Sequence, residues 1–139
     1  MDAVTHVPAP INETVLDYAP GSPERAALEV ARVELSGTKH DLPHTIGGVR
    51  VEGKGPRLEV RQPHAHAKVL GVTRGATKTE AAAAVDAAVA AAPAWRDMAF
   101  DDRAAILLKA ADLLAGPWRA KINAATMLGQ SKTAYQAEI

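Results

Sequence analysis

The chain has 139 residues and no cysteine. That single absence excludes disulfides, thiolate metal sites and a cysteine nucleophile within these residues, so any thiol chemistry must come from elsewhere. Net charge is also missing, since 16 Lys plus Arg are matched by 16 Asp plus Glu. No basic cluster interrupts that balance, which argues against a nucleic-acid partner. Long apolar runs are missing as well: the alanine-rich stretches are broken by Asp86 and Pro93 and fall short of the ~20 apolar residues that a membrane span needs. The segment Met1 to Pro10 carries Asp2, no lysine or arginine and no following apolar region, so neither a secretory signal nor a transit peptide is expected. A cytoplasmic location follows by default.

Large apolar side chains are scarce too. Apolar residues make up 47% of the chain, but much of that share is alanine, and Tyr18, Trp95, Phe100, Trp118 and Tyr135 are the whole aromatic complement. Alanine favours helix yet buries little area at about 25 cal/mol per Å². One core is possible at this length, and it would be thin, as expected for helices designed to lie against something larger.

Residues 1–21 read as an irregular arm, with Pro8, Pro10 and Pro20 setting extended or turn geometry. A helix follows within 22–37: Ser22 offers the N-cap hydroxyl, Pro23 suits the first turn and Gly37 the position after the end. Leu28, Ala31 and Leu35 form one line and Val30 and Val33 another, which predicts cover on more than one face. A β-ribbon is expected over 44–73, with a Gly47-Gly48 hairpin turn between Thr45-Ile46 and Val49 to Glu52. Two more strands, Leu58 to Arg61 and Val69 to Val72, flank a turn at Pro63 to His66.

The remainder, 78–139, is helical. Thr77 and Glu80 have capping-box spacing, and Ala81, Val85, Ala88, Val89 and Ala92 make a stripe expected to stop at Pro93. A second helix from about Asp101 ends at Gly116-Pro117. Pro117 can open a third with Trp118, Ile122 and Ala125 on one side, closing near Gly129. Thr133 to Ile139 begins a fresh helix with no stop signal, and the reading is of a chain that continues in the intact protein.

Several groups could carry chemistry. Gly129-Gln130-Ser131-Lys132-Thr133 is similar to the end of a phosphate-binding loop, but Thr126 replaces the earlier glycine and a helix precedes it where a strand is required. A helix-to-helix connection with Lys132 in solvent is the preferred reading. His64 and His66 could face one way and offer two nitrogens to zinc, but no third ligand is nominated and a solvated turn is preferred. His6, His40 and His44 read as surface histidines. Asp101-Asp102 suit a helix start. Trp95 and Trp118 read as anchors of helix packing rather than a stacking platform.

Three stretches resemble one family closely. They are Asn12 to Leu16 with Tyr18 to Arg25, then Pro63-His64-Ala65-His66, then Met127 to Thr133 with Gln136-Ala137-Glu138-Ile139. Together they resemble the beginning of the 1-pyrroline-5-carboxylate dehydrogenases, a branch of the aldehyde dehydrogenase superfamily. Pro93-Ala94-Trp95-Arg96, Arg103 to Leu107 and Ala111 to Leu114 are similar to the superfamily's N-terminal helices in general. Thr14 stands where proline is frequent in that family and Ala65 where an acidic residue is, which bears on local turn shape only.

The resemblance implies an α/β aldehyde dehydrogenase-like fold in the full enzyme, of which this chain is the N-terminal part, mainly helical with a short β-ribbon. It also implies NAD as cofactor of the full enzyme, a homo-oligomer, and oxidation of L-glutamate γ-semialdehyde to L-glutamate in proline degradation. In that family a cysteine attacks the aldehyde, hydride passes to NAD and a glutamate assists hydrolysis of the thioester. None of those residues is carried onto this sequence, so the expected catalytic, cofactor-binding and metal residues within it are none, and the chain by itself is expected to be inactive. The expected partner is the remainder of the enzyme chain, with no nucleic acid and no membrane. The alternative is a free-standing helical interaction module derived from an enzyme's leading segment.

Overall fold

A computed structural model describes residues 6–139; the first five residues of the expected arm lie outside the described residues. Helix α1 spans Pro23–Gly37, with Ser22 Oγ accepting from the Arg25 N–H at 3.3 Å. Gly37 is its last helical residue and lacks the left-handed conformation expected of it; the cap is the extended Thr38. The second apolar line is also uncovered, with Val30 and Val33 exposed, because nothing among the described residues covers that side.

The sheet departs from a simple ribbon. Strands β2 (His44–Ile46) and β3 (Val49–Val51) pair antiparallel around Gly47 (φ 57°) and Gly48 (φ 80°), the two positive values a tight hairpin of this kind requires. They form a sheet of their own. The other sheet has the order β1-β5-β4, in which β5 (Ala65–Arg74) pairs antiparallel with β4 (Arg57–Gln62) and parallel with β1 (His40–Asp41). The expected turn over Pro63 to His66 is shorter, since Ala65 and His66 already belong to β5. Strand β1 has only two residues and no alternation to reveal it. Its close approach depends on Gly71, where an added Cβ would sit 2.6 Å from the His40 carbonyl oxygen.

Helix α2 (Lys78–Asp97) opens with the full Thr77/Glu80 capping box and does not stop at Pro93. Proline removes one N–H, but its fixed φ suits a helix, and here it lies on an exposed face; the helix runs on to a Met98 cap that donates to the Ala94 carbonyl. Helix α3 (Phe100–Ala115) ends at Gly116 as expected. Pro117 does not open α4 (Arg119–Gln130) but lies in the preceding turn, and α4 continues through Gly129 to Ser131, which takes the left-handed conformation (φ 57°). Helix α5 (Ala134–Glu138) starts with a second capping box, Thr133/Gln136.

The core is small. Tyr18 of the arm, Leu28 of α1 and Ala124 of α4 form it, with Leu16, Ala31, Leu35, Met127 and Ala134 around them. Helix α3 buries no residue, and α2 buries only Glu80. Trp95 and Trp118 are 41% and 54% exposed, so they do not anchor packing among the described residues. No helix of the described residues is long and apolar enough to cross a membrane.

Candidate functional site

The most organised polar cluster gathers around one carboxylate. Arg119 and Asn123 are four residues apart on α4 and therefore share a face, which α5 crosses with Glu138. Only 1% of the Glu138 side chain is exposed. Its Oε2 accepts from the Tyr18 hydroxyl at 2.6 Å, from Asn123 Nδ2 at 2.7 Å and from Arg119 Nε at 3.2 Å. Its Oε1 accepts from the Leu16 N–H at 2.9 Å and from Arg119 Nη2. Arg119 Nη2 also donates to the Thr14 carbonyl at 2.6 Å, and Asn123 Nδ2 to the Tyr18 hydroxyl oxygen at 2.8 Å.

Burial pushes the Glu138 carboxyl up, but the Arg119 guanidinium, the Tyr18 hydroxyl, the Leu16 N–H and Asn123 together outweigh it and hold the group at about 2. The Tyr18 phenol is raised, first by burial and then by its bond to Glu138. Arg119 is raised first by its own hydrogen bonds to Glu138. A carboxylate kept ionised, with both oxygens occupied, is suited to tying segments together rather than to abstracting a proton. The cluster ties the arm to α4 and α5, which lie more than 100 residues further along the chain.

Arg119 and Asn123 belong to no motif singled out in the sequence, and Tyr18 and Glu138 lie in two of the stretches that resemble the family without any role having been read from them. The available signal is a polar i, i+4 pair on a helix otherwise carrying an apolar stripe.

The groups prominent in the sequence stay apart. Gly129 to Thr133 connects α4 to α5 with Lys132 exposed, so it is a helix-to-helix connection and no phosphate loop. His64 Nδ1 lies 2.9 Å from Ser131 Oγ, while His66, in β5, lends its carbonyl to Arg61 at 2.8 Å. Among the described residues no group of three His, Asp or Glu could hold a metal ion. His40 Nε2 meets the Leu35 carbonyl, His44 Nε2 the Arg74 carbonyl, and the His6 N–H donates to Asp101 in the first turn of α3. No catalytic constellation is assembled from these residues. Among the described residues no strand, glycine-rich turn and helix follow one another in the order that cradles a dinucleotide.

Residues 50–139, from β3 to α5, match the aldehyde dehydrogenase family. The chain belongs to that family. Within this aldehyde dehydrogenase chain the arm and α1 precede the matched region, and closer relatives account for them. The chain is 42% identical over 138 residues to the Delta-1-pyrroline-5-carboxylate dehydrogenase of Agaricus bisporus, covering 99% of this chain and 25% of that protein. It is 42% identical over 128 residues to the human mitochondrial Delta-1-pyrroline-5-carboxylate dehydrogenase, covering 92% and 23%. The crystal structure of the Mycobacterium tuberculosis Delta-pyrroline-5-carboxylate dehydrogenase bound with NAD superposes with a TM-score of 0.94 at 58% identity, over 99% of this chain and 26% of that one. The chain thus spans about a quarter of the length of these relatives. Its fold is the corresponding part of an α/β aldehyde dehydrogenase.

Proposed function

We propose that this aldehyde dehydrogenase chain is the N-terminal portion of an NAD-dependent 1-pyrroline-5-carboxylate dehydrogenase, and that its part in the enzyme is structural. One observation carries the reading. A relative 58% identical, with the same backbone across 99% of this chain, is a Delta-pyrroline-5-carboxylate dehydrogenase solved with NAD. In this reading the whole enzyme oxidises L-glutamate γ-semialdehyde to L-glutamate in proline degradation, as a cytoplasmic homo-oligomer without nucleic-acid or membrane partners. The cysteine nucleophile and the NAD site belong to the remainder of the enzyme, and residues 1–139 form one N-terminal portion with no catalytic, cofactor or metal residue of its own.

The uncovered surfaces support this assignment. Val85 and Val89 of α2 and Ile106, Leu107 and Leu114 of α3 are at least half exposed. An apolar slot of about 290 Å³ stays open between Leu35, Leu42, Val60, Leu70 and Leu128. Such surfaces are normally covered by a partner, here the remainder of the enzyme. A free-standing module finds no matching support, because α2 and α3 contribute almost nothing to a core of their own. The test is calorimetry with NAD, together with an assay of NADH formation from the semialdehyde. The whole protein containing this chain should bind and turn over, and the 139-residue chain should do neither. Saturable NAD binding by the chain alone would overturn the proposal.

A further inference from the structure

We propose that the groove beside Leu128 seats a segment from the remainder of the enzyme, and that this segment brings an Asp or Glu carboxylate to Lys132. The inference rests on the reading of this chain as the N-terminal portion of a longer dehydrogenase, and it adds the chemistry of what covers one face. Two openings adjoin there. One is the apolar slot beside Leu35 and Val60, and the other is a recess of about 360 Å³ lined by Arg32, His64, Met127, Ser131 and Lys132. Leu128 lines both, and Arg32 and Leu35 stand one turn apart on α1, so recess and slot follow one another between α1, α4 and the β4–β5 hairpin.

Charge decides what that segment carries. No carboxylate lines either opening. Arg32 is already paired with Glu29, one turn earlier on α1, through two hydrogen bonds. His64 places Nδ1 2.9 Å from Ser131 Oγ, which joins the β4–β5 turn to the left-handed residue (φ 57°) that caps α4 and so fixes the wall of the recess. Lys132, the next residue, makes no ion pair among the described residues. A cover over the slot lowers the dielectric beside its ammonium, where an unpaired charge is costly and a carboxylate partner offsets the cost. An acidic side chain on the covering segment meets that requirement, and a neutral one leaves it unmet. This chain covers 25% and 26% of two of its relatives, so most of the enzyme is available to supply the segment.

Carbodiimide cross-linking of the whole protein, read by peptide mass spectrometry, tests this. Lys132 should be joined to an Asp or Glu beyond residue 139. Its acetylation by acetic anhydride should be slower in the folded whole protein than in urea by at least about tenfold, more than an exposed ion pair gives. The proposal is overturned if Lys132 is acetylated as fast in the folded protein as in urea, or if none of its cross-links reaches beyond residue 139. Protection that appears only on adding inorganic phosphate would assign the recess to a free oxyanion and overturn it equally. NADH formation from the semialdehyde by the same preparation tests the dehydrogenase reading separately, since an enzyme that turns over with Lys132 unlinked contradicts this inference alone.

Discussion

The two helical regions of this chain are built on opposite principles. Helices α1, α4 and α5 with the arm bury Tyr18, Leu28, Ala124 and Leu128 and enclose a fully hydrogen-bonded carboxylate. Helices α2 and α3 are longer, at 20 and 16 residues, and bury a single glutamate between them. Intrinsic helix propensity is comparable in the two regions, since both are rich in alanine. What differs is the size and chemistry of the side chains that meet. A helix face of alanine and valine can be well formed and still have nothing to pack on, and in an aldehyde dehydrogenase the rest of the enzyme is the proposed cover.

The comparison can be broken by substitution, and the largest effect is expected at the clasp. Glu138→Ala leaves the Arg119 guanidinium without its carboxylate in a largely buried site and should destabilise the α1–α4 region by about 3–5 kcal/mol in urea unfolding. Leu28→Ala should cost about 3 kcal/mol through the cavity it leaves beneath the arm. Acid sharpens the same contrast. The Glu138 carboxyl is held at about 2, below its usual 4.5, so its contribution is complete above about pH 5 and is lost as pH falls toward 2. The urea midpoint should fall over that window, and Glu138→Gln should flatten the fall. At the small end, Leu107→Lys on α3, at a residue 65% exposed, should change the midpoint of the isolated chain by less than about 0.5 kcal/mol. In the whole protein the same substitution should cost several times more, because its face is then covered.

Legibility in the sequence divides along the same line. Local chemistry announces the start of α1 at Ser22-Pro23, the Thr77/Glu80 capping box and the Gly47-Gly48 hairpin, because each is decided by residues a few positions apart. The stop at Pro93 fails because a proline on an exposed helix face removes one hydrogen bond without forcing a break. Strand β1 escapes notice because two residues carry no period, and only the clearance over Gly71 betrays its neighbour. The clasp is the least legible feature. Leu16, Tyr18, Arg119, Asn123 and Glu138 acquire meaning only when the fold brings residues 14–18 against 119–138, and no spacing in the sequence encodes that meeting. The scarcity of large apolar side chains suggests the tryptophans as anchors, yet among the described residues Trp95 and Trp118 stay largely exposed.

Hydrogen exchange in α3, compared with α1 in the 139-residue chain, tests the central claim most directly. The claim is that one region carries its own core and the other depends on cover supplied by the rest of an aldehyde dehydrogenase. Amides of 101–115 should exchange almost as fast as those of a free helix, while those of 24–36 are slowed by orders of magnitude. Equal, strong protection in both helices would contradict it.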